Sequence, residues 1–187
     1  MVEKSKYLIV GPAGSGKDWL QRKFIEKGYT PLVQYTTRPI RPTENGTEYH
    51  FISQKLMGKM IREMKFLSVK NFKTWWYGFV KSDFEKCNVG IVSIANINEL
   101  KYSYPNLLNM CEIIYLDIPK EIRIKRLSNR YEGGVVDDTI ERRVSADEID
   151  FEDFNCYTIC LHSEKEVLDF INNIQDLSSE VENNKTK

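Results

Sequence analysis

"YLIVGPAGSGKDWL", residues Tyr7 to Leu20, is the stretch on which the fold of this 187-residue chain turns. Its first four residues are apolar and read as a buried strand. "DWLQRKFIEKG", from Asp18, reads as a helix with Leu20, Phe24 and Ile25 on one apolar face and Gly28 as its stop. Between them Gly11, Gly16 and Lys17 match G-x-x-x-x-G-K, in the strand–loop–helix context that this motif requires. The physical reason for the pattern is that Gly14 and Gly16 let the backbone turn tightly. Successive N–H groups and the helix N-terminus then point at phosphate oxygens, while Lys17 reaches the β- and γ-phosphates of ATP. Ala13, Ser15, Asp18 and Trp19 complete the expected ATP-facing set. Loops of this kind usually place Ser or Thr behind the lysine, so the carboxylate of Asp18 stands out.

Working outward, "GIVSIAN", "CEIIYLDI" and "CYTICL" are further apolar runs that read as buried strands of a parallel sheet, each followed by a helical pattern. Ser163 and Glu166 form a capping box for the last of these helices. Between the first helix and Gly90 the rhythm changes. "HFIS", "KFLSVKNF" and "WWYGFV" are short strand-like pieces around one helical stretch, "QKLMGKMIREM", and read as an inserted mixed lobe. At least one of Trp75 and Trp76 is expected in the core, because consecutive strand residues point to opposite faces. A charged helical pattern runs from Asp137 to about Phe154 after a Gly133-Gly134 hinge, and the tail "SSEVENNKTK" is expected to fray. The expected fold class is α/β: one domain with a parallel-sheet core flanked by helices (about 1–33, 90–125 and 155–177). An inserted lobe (about 34–89), a helical lid (about 126–154) and the tail (about 178–187) complete it.

Charged residues make up 29% of the chain and hydrophobic ones 41%, with Lys+Arg and Asp+Glu equal at 27 each. Net charge therefore offers nothing to nucleic acid or a membrane, and functional charge must be local. The apolar run before Gly11 is too short for a signal-peptide core or a membrane span, so the chain reads as cytoplasmic. Cys87, Cys111, Cys156 and Cys160 lack C-x-x-C spacing and sit in or beside apolar stretches, which favours buried free thiols over zinc or disulfides.

"QYTTRPIRPTENGTEYHFIS", Gln34 to Ser53, gathers the local charge: Arg38 and Arg41 flank Pro39, and the planar fork of arginine suits a phosphate dianion. Tyr49 adds a hydroxyl donor. At this point the chain resembles the guanylate kinase family. The marks are "GPAGSGK", "TTRPIRPTENGTEYHFIS", "WYGF", "KRLSNR" and "ERRVSADEID", in that family's order, and the similarity runs from Tyr7 to about Phe170. The resemblance implies a P-loop kinase that moves the γ-phosphoryl of ATP to a nucleoside or deoxynucleoside monophosphate, with Mg²⁺ as cofactor. It implies a monomer or homodimer acting on small-molecule nucleotides. It assigns Arg38, Arg41, Tyr49 and Tyr77 to the acceptor phosphate, and Lys17, Arg126, Arg130 and Arg143 to the transferring group. Phosphoryl transfer has a loose transition state with charge on equatorial oxygens, which leaves the protein positioning and electrostatic work.

The chain departs from that family where the base is read. Gln34 stands for a serine, Ser68 for a glutamate, Phe79 for a serine and Ala95 for an aspartate, so GMP specificity is doubtful, with Glu63 near enough to substitute for the missing carboxylate. Phe79 would stack on a base or narrow the pocket. The "GIVSIAN" strand offers no acid near magnesium, and Asp18 would replace it as a metal ligand; its other role is to favour the helix N-terminus. Two alternatives stand beside the kinase: a ribose 1,5-bisphosphate kinase-like enzyme, suggested by Gly-Lys-Asp, and a non-catalytic phosphopeptide-binding domain.

Overall fold

A computed structural model describes residues 6–41, 44, 46, 49–72, 74–131 and 140–178, the side chains of Arg130 and Tyr131 excepted. In chain order, β1 (Lys6–Val10) leads through the glycine loop into α1 (Lys17–Glu26). There follow β2 (Gln34–Thr36), β3 (Tyr49–Phe51), α2 (Gln54–Arg62), β4 (Phe66–Phe72), β5 (Trp75–Val80) and α3 (Lys81–Lys86). The second half is β6 (Val89–Ile91), α4 (Ile94–Ser103), α5 (Pro105–Leu108), β7 (Cys111–Leu116), α6 (Lys120–Tyr131), α7 (Ile140–Phe151), β8 (Ile159–Leu161) and α8 (Glu164–Asn173).

Two sheets organise these elements. One has the order β6-β1-β7-β8 with every pairing parallel; the other has the order β3-β2-β5-β4, in which β2 and β3 are parallel and the remaining pairs antiparallel. The parallel sheet is covered on both faces, which is why its strands read as continuous apolar runs. Alternation sorts them: Leu8, Val10, Ile113 and Tyr115 pack toward α4 and the mixed sheet, with Ile97, Leu100, Leu67, Phe79 and Phe84. Ile9, Ile114 and Leu116 pack on the opposite face against Leu20 and Phe24 of α1 and Val167 and Ile171 of α8. The first strand is thus clamped between two apolar clusters, and the glycine loop leaves a rigid strand end.

The α/β architecture expected from the sequence is present, with local corrections. The run "GIVSIAN" is strand only as far as Ile91, because Ser93 caps α4: its hydroxyl accepts from the Asn96 N–H at 3.2 Å while the Asn96 side chain accepts from the Ser93 N–H at 2.9 Å. Ala95 therefore sits in the first turn of a helix and not at a strand end. Ser163 caps α8 as expected, but the Glu166 carboxylate accepts from the backbone N–H of His162, at 2.8 Å, instead of that of Ser163. Neither Trp75 nor Trp76 is buried; both are half-exposed on β5. The Gly133-Gly134 hinge and the tail from residue 179 lie outside the described residues.

Lys6 ties β1 to α3, donating to the carbonyls of Phe84 and Cys87 at its end, with its ammonium 4.9 Å from the Phe84 ring centroid. Phe84 is 1% exposed and stacks on Phe79 with centroids 5.6 Å apart. Truncating it leaves a cavity that neighbours from both sheets cannot all fill. Phe84→Ala should cost about 3–5 kcal/mol of stability, seen as a lower urea midpoint with an unchanged slope. A loss below about 1 kcal/mol would mean that this junction is not tightly packed.

Candidate functional site

Gly14 and Gly16 adopt left-handed backbone conformations, with φ of 77° and 100°. Space excludes a side chain at Gly14 as well, since a Cβ there would lie 2.7 Å from the Arg123 carbonyl oxygen. Gly16 is the N-cap of α1 and offers no side-chain cap, so the first-turn N–H groups are left for an outside acceptor. Ser15 Oγ is buried and has no hydrogen-bond partner among the described residues. Lys17 donates to the carbonyls of Gly11 at 2.6 Å and Pro12 at 2.9 Å. Burial lowers its pKa to about 8, with the charges of Arg143 and Arg123 acting in the same direction and those of Asp18 and Asp147 against it. With Lys17 beside it, uncapped first-turn N–H groups and a buried Ser15 hydroxyl unpartnered among the described residues, the loop has the chemistry of an anion cradle.

Beside the loop opens a cavity of about 380 Å³, lined by apolar Trp19, Ile118, Val167 and Leu168 and by Arg126 and Glu164. Arg126 donates to the carbonyls of Gly14 at 3.0 Å and Ser15 at 3.1 Å and pairs with Glu164 at 2.5 Å. Arg143, on α7, is close enough for its charge to act on both Lys17 and Asp147. The Arg130 expectation concerns a side chain outside the described set.

Two residues at this loop were not singled out from the sequence. Arg123, 6% exposed, donates to the Ile118 carbonyl at 3.0 Å and the Ala13 carbonyl at 3.4 Å. Asp147, reaching in from α7, accepts from the Ala13 N–H at 2.7 Å and lies 3.6 Å from Arg123. Burial raises its pKa, opposed by the Ala13 hydrogen bond and the Lys17 charge. In this state a carboxylate occupies a loop N–H.

Across from the loop, the mixed sheet assembles the other group. Arg38 is 5% exposed and grips Glu44 through two nitrogens, at 2.9 and 2.7 Å. Burial opposes its charge, but the Glu44 hydrogen bonds more than offset that and raise its pKa. Its guanidinium carbon lies 5.5 Å from the ring centroids of both Tyr49 and Phe51, and the Tyr49 and Tyr77 centroids are 6.0 Å apart. Arg41 is exposed, and its backbone N–H donates to Glu44 at 2.8 Å. Asp18 is also exposed, and its charge acts both on neighbouring Lys17 and on Tyr49.

At the base-reading positions several expectations change. Phe79 is fully buried against Phe84 and has no ring face left for a ligand, because its side of β5 faces the core. Glu63 is paired with Lys59 and Lys65 at the exposed end of α2. The carboxylate beside Ser68 is Glu99 of α4: Ser68, 1% exposed, donates its hydroxyl to it at 2.5 Å, and Lys70 pairs with it at 3.0 Å. Asn96 donates to Ser68 Oγ at 2.7 Å, and Gln34 donates to the Ile91 carbonyl at 2.7 Å. Glu99 was missed because it lies one helical turn beyond Ala95, off the motif; the i, i+4 spacing from Ala95 was the available signal.

Comparison with known proteins gives a consistent picture. Residues 3–176 match the profile of the family described as Guanylate kinase. A guanylate kinase of Legionella pneumophila (strain Paris) is 33% identical over 134 residues, 66% of this chain and 62% of that protein. One from Wigglesworthia glossinidia brevipalpis is 32% identical over 143 residues, 70% and 67% of the two chains. The chain thus spans 62% of the length of the first of these curated relatives. In structure, it is similar to the crystal structure of guanylate kinase from Anaplasma phagocytophilum, with a TM-score of 0.63 at 14% identity, covering 99% of this chain and 89% of that one. That likeness concerns the fold. Among the described residues no helix is long and apolar enough to cross a membrane.

The Lys17 pKa sets a pH window. A lysine whose folded-state pKa falls to about 8 is destabilising while charged, fully so below that value, and the cost is relieved as pH rises from about 8 toward the ordinary 10.5. Without nucleotide, the native chain should gain stability relative to Lys17→Met between about pH 8 and 10, measured by urea unfolding at each pH. A flat difference across that window would contradict the burial of the ammonium.

Proposed function

The chain belongs to the guanylate kinase family, and from that premise we propose that it is an ATP-dependent phosphotransferase whose acceptor is a nucleoside or deoxynucleoside monophosphate. The observation that carries this reading is that Asp18, which directly follows Lys17 of the glycine loop, is also within electrostatic reach of Tyr49, the ring that packs with Arg38 and Tyr77. A molecule that only held ATP would need the glycine loop alone.

In this reading the adenine enters the apolar cavity beside Trp19, and the loop N–H groups and Lys17 take the β- and γ-phosphates. The phosphates displace the Asp147 carboxylate from the Ala13 N–H, which couples nucleotide entry to movement of α7. Arg38 exchanges Glu44 for the acceptor phosphate, Arg41 and the two tyrosine hydroxyls complete its shell, and Arg126, Arg130 and Arg143 stabilise charge on the transferring oxygens. The acceptor phosphate is already anionic, so no separate general base is needed.

Magnesium fits the residues present. Asp18 offers a hard carboxylate oxygen beside the loop, exposed and near Lys17, and a hard ion that keeps several waters needs only one or two such ligands. Bound with ATP, Mg²⁺ would neutralise phosphate charge there. Base choice rests on Glu99, held by Ser68 and Lys70, in place of the carboxylate absent at Ser68 itself. The intact loop argues against the phosphopeptide-binding alternative, and the Glu99–Ser68–Asn96 network against an acceptor that has no base.

One experiment tests the reading: ATP consumption by the native chain and by Asp18→Ala, with graded Mg²⁺, against all common nucleoside monophosphates and ribose 1,5-bisphosphate. The native chain should turn over one or more nucleoside monophosphates. Asp18→Ala should need roughly tenfold more Mg²⁺ with little change in nucleotide affinity, in line with loss of one of few carboxylate ligands. No turnover of any acceptor, together with phosphopeptide binding, would overturn the function, and an unchanged magnesium dependence would remove Asp18 as a ligand.

A further inference from the structure

The parallel register of β7 and β8 pairs Tyr115 with Cys160 and Leu116 with Leu161. The next residues, Asp117 and His162, follow side by side, tied by the Asp117 N–H to the Leu161 carbonyl at 2.9 Å. Alternation then puts Tyr115, Asp117, Cys160 and His162 on one face of the sheet at its C-terminal edge. One donor atom each from Asp117, Cys160 and His162 lies within 4.8 Å of the others. From this juxtaposition we propose that Asp117, Cys160 and His162 form a binding site for a borderline-soft divalent cation of the zinc class, separate from the phosphate loop.

The donor set selects the ion. Thiolate, imidazole and carboxylate together suit Zn²⁺, whereas Mg²⁺ takes oxygen ligands. Tetrahedral bonds of about 2.0 Å to N or O and 2.3 Å to S place donors roughly 3.5 Å apart, so a side-chain adjustment of about an ångström closes the triad on an ion. The surroundings already orient the ligands. Tyr115 donates its hydroxyl to Asp117 Oδ1 at 3.2 Å, which leaves Oδ2 for the site, 3.1 Å from His162 Nδ1. The His162 backbone N–H is fixed by Glu166 at 2.8 Å. Such outer partners hold ligands in metal sites. Three protein ligands leave a fourth position open to solvent, since Asp117 and His162 are both exposed. On binding, the Cys160 thiol releases its proton to the buffer and the His162 ring loses its hydrogen bond to Asp117. The bound ion would pin the ends of β7 and β8 directly beside Ile118 and Glu164 of the cavity next to the loop.

The test is metal uptake by the full, untagged chain, read without activity. Zn²⁺ is titrated against a chromophoric chelator, and Co²⁺ is added to a second sample and followed by absorption. One equivalent of each per chain is expected at micromolar concentration, with a thiolate-to-cobalt band in the near ultraviolet. Cys160→Ser should abolish the band, and His162→Ala should weaken uptake by about tenfold or more. Cys156→Ser, which leaves the three donors intact, should keep both. Absence of stoichiometric uptake, or a band that survives in Cys160→Ser, would overturn the site and leave Asp117 and His162 as a hydrogen-bonded pair.

Discussion

Gly14 and Gly16 hold the loop in left-handed backbone conformations, and that turn directs the uncapped N–H groups of α1 into one small volume beside Lys17. Neighbouring elements fix that volume. From below, β1 is clamped between two apolar clusters, so the loop begins at a strand end with almost no freedom. From the side, the Arg123 backbone closes on Gly14, and Arg123 and Arg126 bind the carbonyls of Ala13, Gly14 and Ser15. Several of the loop's carbonyls are thus already paired, which in the proposed kinase leaves its N–H groups for phosphate.

A nucleotide-free anion site carries an electrostatic cost, and the chain meets it with carboxylates. Asp147 caps the Ala13 N–H and moderates the depressed pKa of Lys17. Glu44 pairs with Arg38 in the mixed sheet's group, and Glu99 pairs with Lys70. In the proposed kinase the Asp147 and Glu44 carboxylates stand where substrate phosphates would bind, and these two contacts would open when substrate arrives. That arrangement makes binding a set of exchanges, in which incoming phosphate replaces a carboxylate at an N–H or guanidinium that was never left bare.

Much of this was legible in the sequence, and the unread remainder has physical causes. The loop, its flanking strand and helix, and the four parallel strands were readable because burial on both faces writes long apolar runs. The three-residue strand Gln34–Thr36 and the six-residue helix Lys81–Lys86 were too short for any period to register. The run through Ile94 looked like strand until Ser93 and Asn96 capped a helix inside it. At the site, Lys17, Arg126, Arg38, Tyr49 and Tyr77 follow from the motifs. Asp147 and Glu44 lie within "ERRVSADEID" and "TTRPIRPTENGTEYHFIS" but their partners do not follow from those motifs, and Glu99 lies outside them, since tertiary packing decides what a carboxylate meets. Phe79 was misread because position on a strand beside a cleft does not say which face is turned to the core.

In the proposed kinase the glycine loop and the Arg38 cluster are two halves of one site, and the transferred phosphoryl group passes between them. Calorimetry with a dinucleoside pentaphosphate, adenosine at one end and an accepted nucleoside at the other, tests it directly. The account predicts one molecule bound per chain, at least about a hundredfold tighter than ATP because the second half binds intramolecularly. Both Lys17→Met and Arg38→Met should lose most of that gain. Affinity no better than that of ATP, or a gain indifferent to Arg38, would contradict the claim.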